Sequence, residues 1–225
     1  EERSNSLSAS INYDYPTENF IYGFTIEGFY TKLNNAFILT SIGEDDFGER
    51  FEKQNGTNAI VKGLTFELRA NYKKKIQLDG GFNIQSSRYK NAVEYIEGLN
   101  PVRDFLRTPD THGFANLNFT PNSSLNGNIN LIYTGPMKLA HFSGAPEQQF
   151  DEIVNSKSFY EMSFKLSYKF KEIIKKSSFE IFTGMKNIFN AFQKDFDSGK
   201  NRDSNYVYGP ANPRTIFLGF KMNIL

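Results

Sequence analysis

A period of two runs through almost the whole of this chain. In its last stretch Ile216, Leu218, Phe220, Met222 and Ile224 alternate with residues that include Gly219, Lys221 and Asn223. Alternation of this kind places one set of side chains on each face of a β-strand. The same pattern recurs at residues 7–15, 20–26, 64–72, 76–84, 115–119, 125–133, 160–170 and 179–185, which gives nine strands. Several come near the ~9–11 residues that a tilted membrane-crossing strand needs.

The connections are sorted by length. Short ones fall at 16–19, 73–75, 121–124 and 171–176, and long polar ones lie between them. A sandwich in water has no reason to collect its long loops at one end. Barrels of the bacterial outer membrane do, with short turns on the periplasmic side and long loops outside. The pattern therefore predicts an all-β, transmembrane, antiparallel up-and-down β-barrel wall. Its C-terminus is expected on the periplasmic side and Glu1 in an extracellular loop. The competing reading is an antiparallel sheet with one face in water.

Composition supports the membrane reading. The chain holds 23 Phe and 12 Tyr, yet its mean hydropathy is −0.51. Aromatic residues on a lipid-facing surface, opposite a polar interior, reconcile those two values. No run approaches the ~18–20 apolar residues of a membrane helix. A net charge of +1 gives no reason to expect nucleic acid as a partner, and the lack of cysteine excludes disulfides and thiolate metal sites. The start, EERSNSLS, has no signal-peptide pattern and reads as a mature or truncated chain.

The polar faces carry Glu67, Arg69, Asp79, Glu161, Lys165 and Lys169. A dry core could not accommodate so many charges cheaply, so these six are expected to face a wide, wet or plugged lumen. Nine strands that begin and end on opposite sides cannot close alone, since single-chain bacterial barrels have even strand numbers. Residues 216–224 are accordingly expected to form an edge, completed by an upstream segment. Pairing with residues 7–15 would refute this.

The tail YVYGPANPRTIFLGFKMNIL, preceded by GMKNIFNAFQKDFDSGKNRDS, resembles the C-terminal end of TonB-dependent outer-membrane receptors, particularly those of Bacteroidetes-type bacteria. The likeness is sharpest over 184–225 and extends loosely back to Leu7 through GFTIEGFYTKLNNAFIL and VKGLTFELRANY. It implies that residues 1–225 are the C-terminal portion, about nine strands, of a barrel of about twenty-two. A plug domain, the N-terminal strands and the TonB box would lie outside this sequence. The implied function is active transport across the outer membrane of a Gram-negative cell, without enzymatic activity. The implied substrate is a metal chelate: iron–siderophore, haem or cobalamin. The alternatives are a glycan or peptide importer of the same family and a passive porin. The implied partners are outer-membrane lipid, the receptor's own strands and plug, TonB–ExbB–ExbD acting through the plug, and a surface lipoprotein lid. The closing strand departs from the usual terminal Phe, because Ile224 is its last outward residue and Leu225 follows.

No catalytic constellation is visible. Of the two histidines, His112 and His141, neither has a nucleophile and carboxylate in a recognisable arrangement. No cofactor is expected. The acidic sets Glu44, Asp45, Asp46 and Asp195, Asp197, Asp203 are the candidates for loop calcium, although neither has EF-hand spacing. Pro210 and Pro213 mark the passage from loop to final strand, and Arg214 is expected to pair with a barrel carboxylate there. The long connections are rich in aromatics, including Phe51 and Phe150. The ligand-contact candidates are Phe47, Arg50, Tyr95, Arg103, Phe105, His141, Phe142, Tyr206 and Tyr208. Packing beneath the loops is the other use for such residues.

Overall fold

The computed structural model describes residues 1–45, 48–96, 98–171 and 177–224. In chain order its strands are β1 (Arg3–Pro16), β2 (Phe20–Asn34), β3 (Phe37–Asp45), β4 (Gly48–Asn55), β5 (Ala59–Tyr72), β6 (Ile76–Val93) and β7 (Val102–Asp104). There follow β8 (Thr111–Phe119), β9 (Leu125–Thr134), β10 (Lys138–His141), β11 (Glu152–Asn155), β12 (Phe159–Lys171), β13 (Ser177–Lys186) and β14 (Thr215–Ile224). Among the described residues there is no helix.

Nine strands form one antiparallel wall in the order β1-β2-β5-β6-β8-β9-β12-β13-β14. Each pairs only with its chain neighbours in that wall, as an up-and-down meander requires. These are the nine strands predicted from the alternation. β14 stands at one end of the order and β1 at the other, so the two do not pair.

The turns at one end are tight for identifiable reasons. Lys73 and Lys74 both adopt positive φ, 50° and 57°, and the Lys75 N–H donates to the Tyr72 carbonyl at 2.8 Å. Two left-handed residues and that one backbone bond close a three-residue turn between Tyr72 and Ile76. At the next such turn Asn122 Oδ1 accepts from the N–H groups of Ser124 and Leu125. The fourth expected turn falls on 172–176, outside the described residues; Asp46, Phe47 and Leu225 lie outside them too.

The other end is more ordered than the sequence suggests. The stretch GEDDFGERFEKQNGTN reads as a polar loop, yet most of it belongs to the β3–β4 hairpin, paired from Phe37↔Asn55 to Asp45↔Gly48. A second hairpin, β10–β11, lies in the third long connection, and β7 pairs onto the outer end of β6. The strands of β10–β11 are only four residues long and those of β3–β4 mix polar with apolar residues on both faces, so periodicity does not reveal either hairpin.

Register fixes which residues share a face. Thr25↔Glu67↔Gly81 and Arg69↔Asp79↔Asn116↔Asn130↔Ser163 run across the wall on the polar side. Glu161, Lys165 and Lys169 continue that side, so the six charged positions picked out in the sequence do share a face. Among the described residues no second sheet covers the opposite face. Leu7, Ile11, Leu64, Ile84, Ile216, Leu218, Phe220 and Met222 are each more than half exposed there. Leaving eight such side chains in water forfeits on the order of 15 kcal/mol, as much as a whole domain's net stability. Such a face needs either a covering layer or an apolar solvent, and the reading of a sheet with one face in water requires a layer that the described residues do not supply.

Aromatic pairs edge the apolar band. Near the tight turns Tyr13 stacks on Phe24, Tyr15 meets Tyr22, and Phe179 lies between Phe170 and Phe220. Towards the loops Tyr133 bridges Phe82 and Tyr160. The buried apolar cluster Ala36, Ala59, Tyr89 and Val93 sits at the loop end, not between sheets.

Candidate functional site

At the long-loop end, side chains from distant parts of the chain converge. The convergence starts with two asparagines of the KNIFN stretch. Asn187 and Asn190 adopt φ of 47° and 49°, a left-handed conformation that Asn tolerates better than most residues. The Asn187 Nδ2 donates to the carbonyls of Ala191 and Asn212, both at 2.8 Å, while its Oδ1 accepts the Ala191 N–H. Asn190 Oδ1 accepts the Arg214 N–H at 3.0 Å. The beginning of the fourth long loop is thereby tied to its end, which is a physical reason for the KNIFN and PANPRT stretches to occur together. Arg214, expected to pair with a carboxylate, is instead exposed, and no carboxylate among the described residues pairs with it. The tie to Asn190 through its own backbone leaves its side chain pointing to solvent.

Within that loop Gln193 is only 1% exposed. Its Nε2 donates to the Tyr206 carbonyl and its Oε1 accepts the Tyr208 N–H, both at 3.0 Å. The hydroxyls of Tyr208 and Tyr206 both donate to the Asp195 carboxylate, Tyr208 at 2.7 Å to Oδ1 and Tyr206 at 3.2 Å to Oδ2. Burial pulls the Asp195 carboxyl up, but the Tyr208 hydroxyl, a backbone hydrogen bond, the Tyr206 hydroxyl and the Lys157 charge together outweigh it and hold the group below its ordinary range. Burial, then the neighbouring Asp195 charge, pushes the Tyr206 phenol up to about 12; burial and the Asp195 hydrogen bond push Tyr208 higher still.

The third and fourth loops meet at His141. Its ring stacks on Tyr206 at 3.5 Å between centroids and 5° between planes, and its Nε2 lies 2.9 Å from Asp197. The other Asp197 oxygen accepts the Asp203 N–H, and Asp203 accepts the Phe142 N–H. The second loop joins through Arg107, whose guanidinium donates to the carbonyls of Asn205 and Val207 and whose N–H donates to the Lys138 carbonyl.

The second loop is itself packed against the wall. Phe105 lies 4.5 Å from the Tyr89 ring, the Tyr95 hydroxyl donates to the Asp104 carbonyl, and Arg103 Nε donates to the Tyr89 carbonyl. Burial raises the Tyr95 phenol well above its usual range. Lys138 and Arg88 grip Asp104 from two sides at 3.0 and 3.3 Å.

Of the residues picked out in the sequence, Tyr95, Arg103, Phe105, His141, Phe142, Tyr206 and Tyr208 therefore sit within this packed array. Arg50 lies exposed on β4, and Phe47 falls outside the described residues. Phe150 is 77% exposed. His112 is in β8 on the polar face, not in a loop. The acidic candidates do not form one oxygen cage. Asp195 faces two tyrosines while Asp197 and Asp203 serve His141 and backbone N–H groups; Glu44 and Asp45 are strand residues of β3. Among the described residues no group of three or more His, Asp and Glu side chains is placed to hold a metal ion.

Sequence reasoning missed Asn187, Gln193 and Arg107, which hold the loops together, and also Phe189, Phe192 and Phe196. The last three are 58%, 40% and 55% exposed. A cleft of ≈ 480 Å³ beside them is lined by Lys157, Phe159, Lys194 and Tyr208 among others. The spacing of FNAFQKDF was the available signal, since it cannot belong to an amphipathic strand with one apolar face.

On the polar face of the wall, Arg69 donates to Asp14 at 2.7 Å, to Asn12 at 2.6 Å and to Thr25 at 3.0 Å. Asn116 links Asp79 to Asn130, and Lys165 lies 4.8 Å over the Phe182 ring. Glu67, Glu161 and Lys169 occupy the same face.

No protein-family model matches the chain, and no curated protein matches it in sequence. Solved structures do match in fold. The ferric-catecholate import receptor Fiu of E. coli K12 aligns over 99% of this chain at 17% identity, TM-score 0.63. The copper transporter OprC aligns over 98% at 11% identity, TM-score 0.62, and the siderophore receptor PirA of Acinetobacter baumannii over 96% at 14%, TM-score 0.59. The chain spans 27%, 32% and 31% of those three chains respectively.

Proposed function

We propose that this chain forms the C-terminal barrel strands and extracellular loops of a TonB-dependent transporter in the Gram-negative outer membrane, with a metal chelate as substrate. One observation carries the reading. A nine-stranded meander with its long loops at one end superimposes almost entirely on proteins named as a ferric-catecholate import receptor, a copper transporter and a siderophore receptor. The tail sequence supports the same family and is the sole support for a Bacteroidetes-type member. On this reading the polar face, with Glu67, Arg69, Asp79, Glu161, Lys165 and Lys169, lines a wet lumen around a plug. TonB–ExbB–ExbD acts through that plug, and a surface lipoprotein lid is compatible with the loop face. The solved structures it resembles are named as receptors and transporters, which supports a carrier rather than an enzyme.

The loop array itself refines the role of each candidate. Tyr206 and Tyr208 spend their hydroxyls on Asp195, His141 its Nε2 on Asp197 and Tyr95 its hydroxyl on the Asp104 carbonyl, so they stiffen the loops. Phe150, Phe189, Phe192 and Phe196, with Lys157 and Lys194, present aromatic and cationic surface outward, a combination suited to an anionic aromatic chelate. The test is uptake of ferric catecholate, haem and cobalamin by cells carrying the intact receptor, with and without a protonophore. Energy-dependent uptake of one chelate is expected. Solute passage that ignores the protonophore would instead identify a passive pore.

A further inference from the structure

The wall's apolar face carries charge in one place only. Following the register strand by strand, its charged residues among those described are Arg3, Lys32, Lys62, Arg88 and, by continued alternation, Lys90. All five are cationic, and all lie at the long-loop ends of β1, β2, β5 and β6. The remaining wall strands have none on this face. Arg88 is held by Asp104 and Asp110, and Arg3 by Glu1. Lys32 and Lys62 are exposed and have no ion-pair partner among the described residues.

Directly below them the face is dented. Successive rows read Asn5–Lys32–Ile60–Arg88, then Leu7–Tyr30–Lys62–Ser86, then Ala9–Gly28–Leu64–Ile84. Gly28 and Ala9 leave an open depression of ≈ 600 Å³ walled by Leu7, Leu64 and Ile84, with Tyr30 and Lys62 at its rim. The arrangement is a cationic, hydrogen-bonding rim above an apolar trough, and on the membrane placement proposed above it lies near where the wall leaves hydrocarbon. Lysine at that depth reaches the headgroup region with its charge while its stem stays in the apolar layer.

We propose that this depression is a binding site for a phosphate-bearing membrane lipid of the leaflet on the long-loop side. An acyl chain lies over Gly28 and the phosphate is held between Lys32 and Lys62, with the Tyr30 hydroxyl and Asn5 as further donors. The inference rests on the membrane placement of the wall and is independent of which substrate the loops capture. Charge complementarity selects the occupant, because a zwitterionic headgroup gains little from two unpaired lysines while an anionic phosphate gains from both.

The test is lipid retention by the full receptor, purified in non-ionic detergent and read by native mass spectrometry. The probes are a dioleoyl phosphatidic acid, the matching phosphatidylcholine and inorganic phosphate. Retention of the phosphatidic acid at least tenfold above the phosphatidylcholine is expected, unaffected by millimolar inorganic phosphate. Lys62→Gln should weaken retention about fivefold, Lys62→Arg should restore it, and Lys32→Gln/Lys62→Gln should lose about twentyfold. Gly28→Leu fills the trough without meeting backbone, since a Cβ there comes only within 3.5 Å of a Leu64 methyl, and should lower retention of both lipids. Equal retention of the two lipids, full competition by inorganic phosphate, or lysine variants that bind as the parent does would each overturn the proposal. Receptor that takes up its chelate normally yet fails this test would sink the lipid site alone. Failure of chelate uptake with selective lipid retention would sink only the transport reading.

Discussion

Asn187 offers a sharp test of how the fourth long loop is held. It is 2% exposed, and its amide makes three hydrogen bonds that join residue 191 and residue 212 to the end of β13. Asn187→Gly keeps the backbone free to adopt φ 47° but deletes all three. At about 1 kcal/mol net per bond the tie should weaken by about 3 kcal/mol, roughly a hundredfold in local opening. Asn187→Ala deletes the same bonds and adds the cost of a left-handed φ with a Cβ, about 1 kcal/mol more. The assay is hydrogen exchange of the Ala191 amide, whose N–H donates to Asn187 Oδ1, together with proteolysis across 187–214. Both variants should exchange faster at Ala191, with Ala faster than Gly by about fivefold, while the central amides of β12 and β13 stay protected. Parent-like protection of Ala191 in Asn187→Gly would show that the amide is not the tie. Equal behaviour of the two variants would refute the backbone argument.

Other outcomes follow from the same loops. Gln193→Leu leaves the Tyr208 N–H and the Tyr206 carbonyl without partners in a buried setting, at about 1–3 kcal/mol each, and should expose residues 193–208 to protease. Arg107→Ala removes the donor that joins the second loop to Asn205 and Val207, so proteolysis should rise at 203–208 before it rises in the wall. The Asp195–Tyr206 contact should weaken at both pH extremes. Tyr206, pushed up to about 12, contributes fully below its ordinary value of 10, and its contribution is lost as pH rises from about 10 through about 12. The depressed Asp195 carboxyl contributes above its ordinary 3.8, and that contribution is lost as pH falls below it. Tyrosinate absorbance of the parent minus that of Tyr206→Phe should show the delayed titration; a difference titrating near 10 would contradict the geometry.

Which parts of this were written in the sequence has a physical explanation. A wall strand meets two different solvents, one on each face, so its side chains must alternate, and the nine strands, their order and their polar and apolar faces could be read from residues such as Ile216 to Ile224. Loop sorting was legible for the same reason, because tight turns and long connections differ in length whatever they pack against. The edge position of β14 followed from counting. The loop end obeys no such rule. The β3–β4 and β10–β11 hairpins have no single apolar face to betray them. The role of His141 depends on Tyr206 and Asp197, which stand far along the chain, and no local pattern announces a stack between two loops. Asn187 and Gln193 are ordinary polar letters until the chain folds back and puts backbone carbonyls and N–H groups within their reach. Lys32 and Lys62 likewise become a paired feature only through strand register, which sets them on adjacent strands one row apart on the loop side of Gly28. Alternation is a local consequence of strand geometry and survives in the sequence; the meeting of loop ends and the grouping of surface charge are set by pairing across the sheet, and only the tertiary structure decides them.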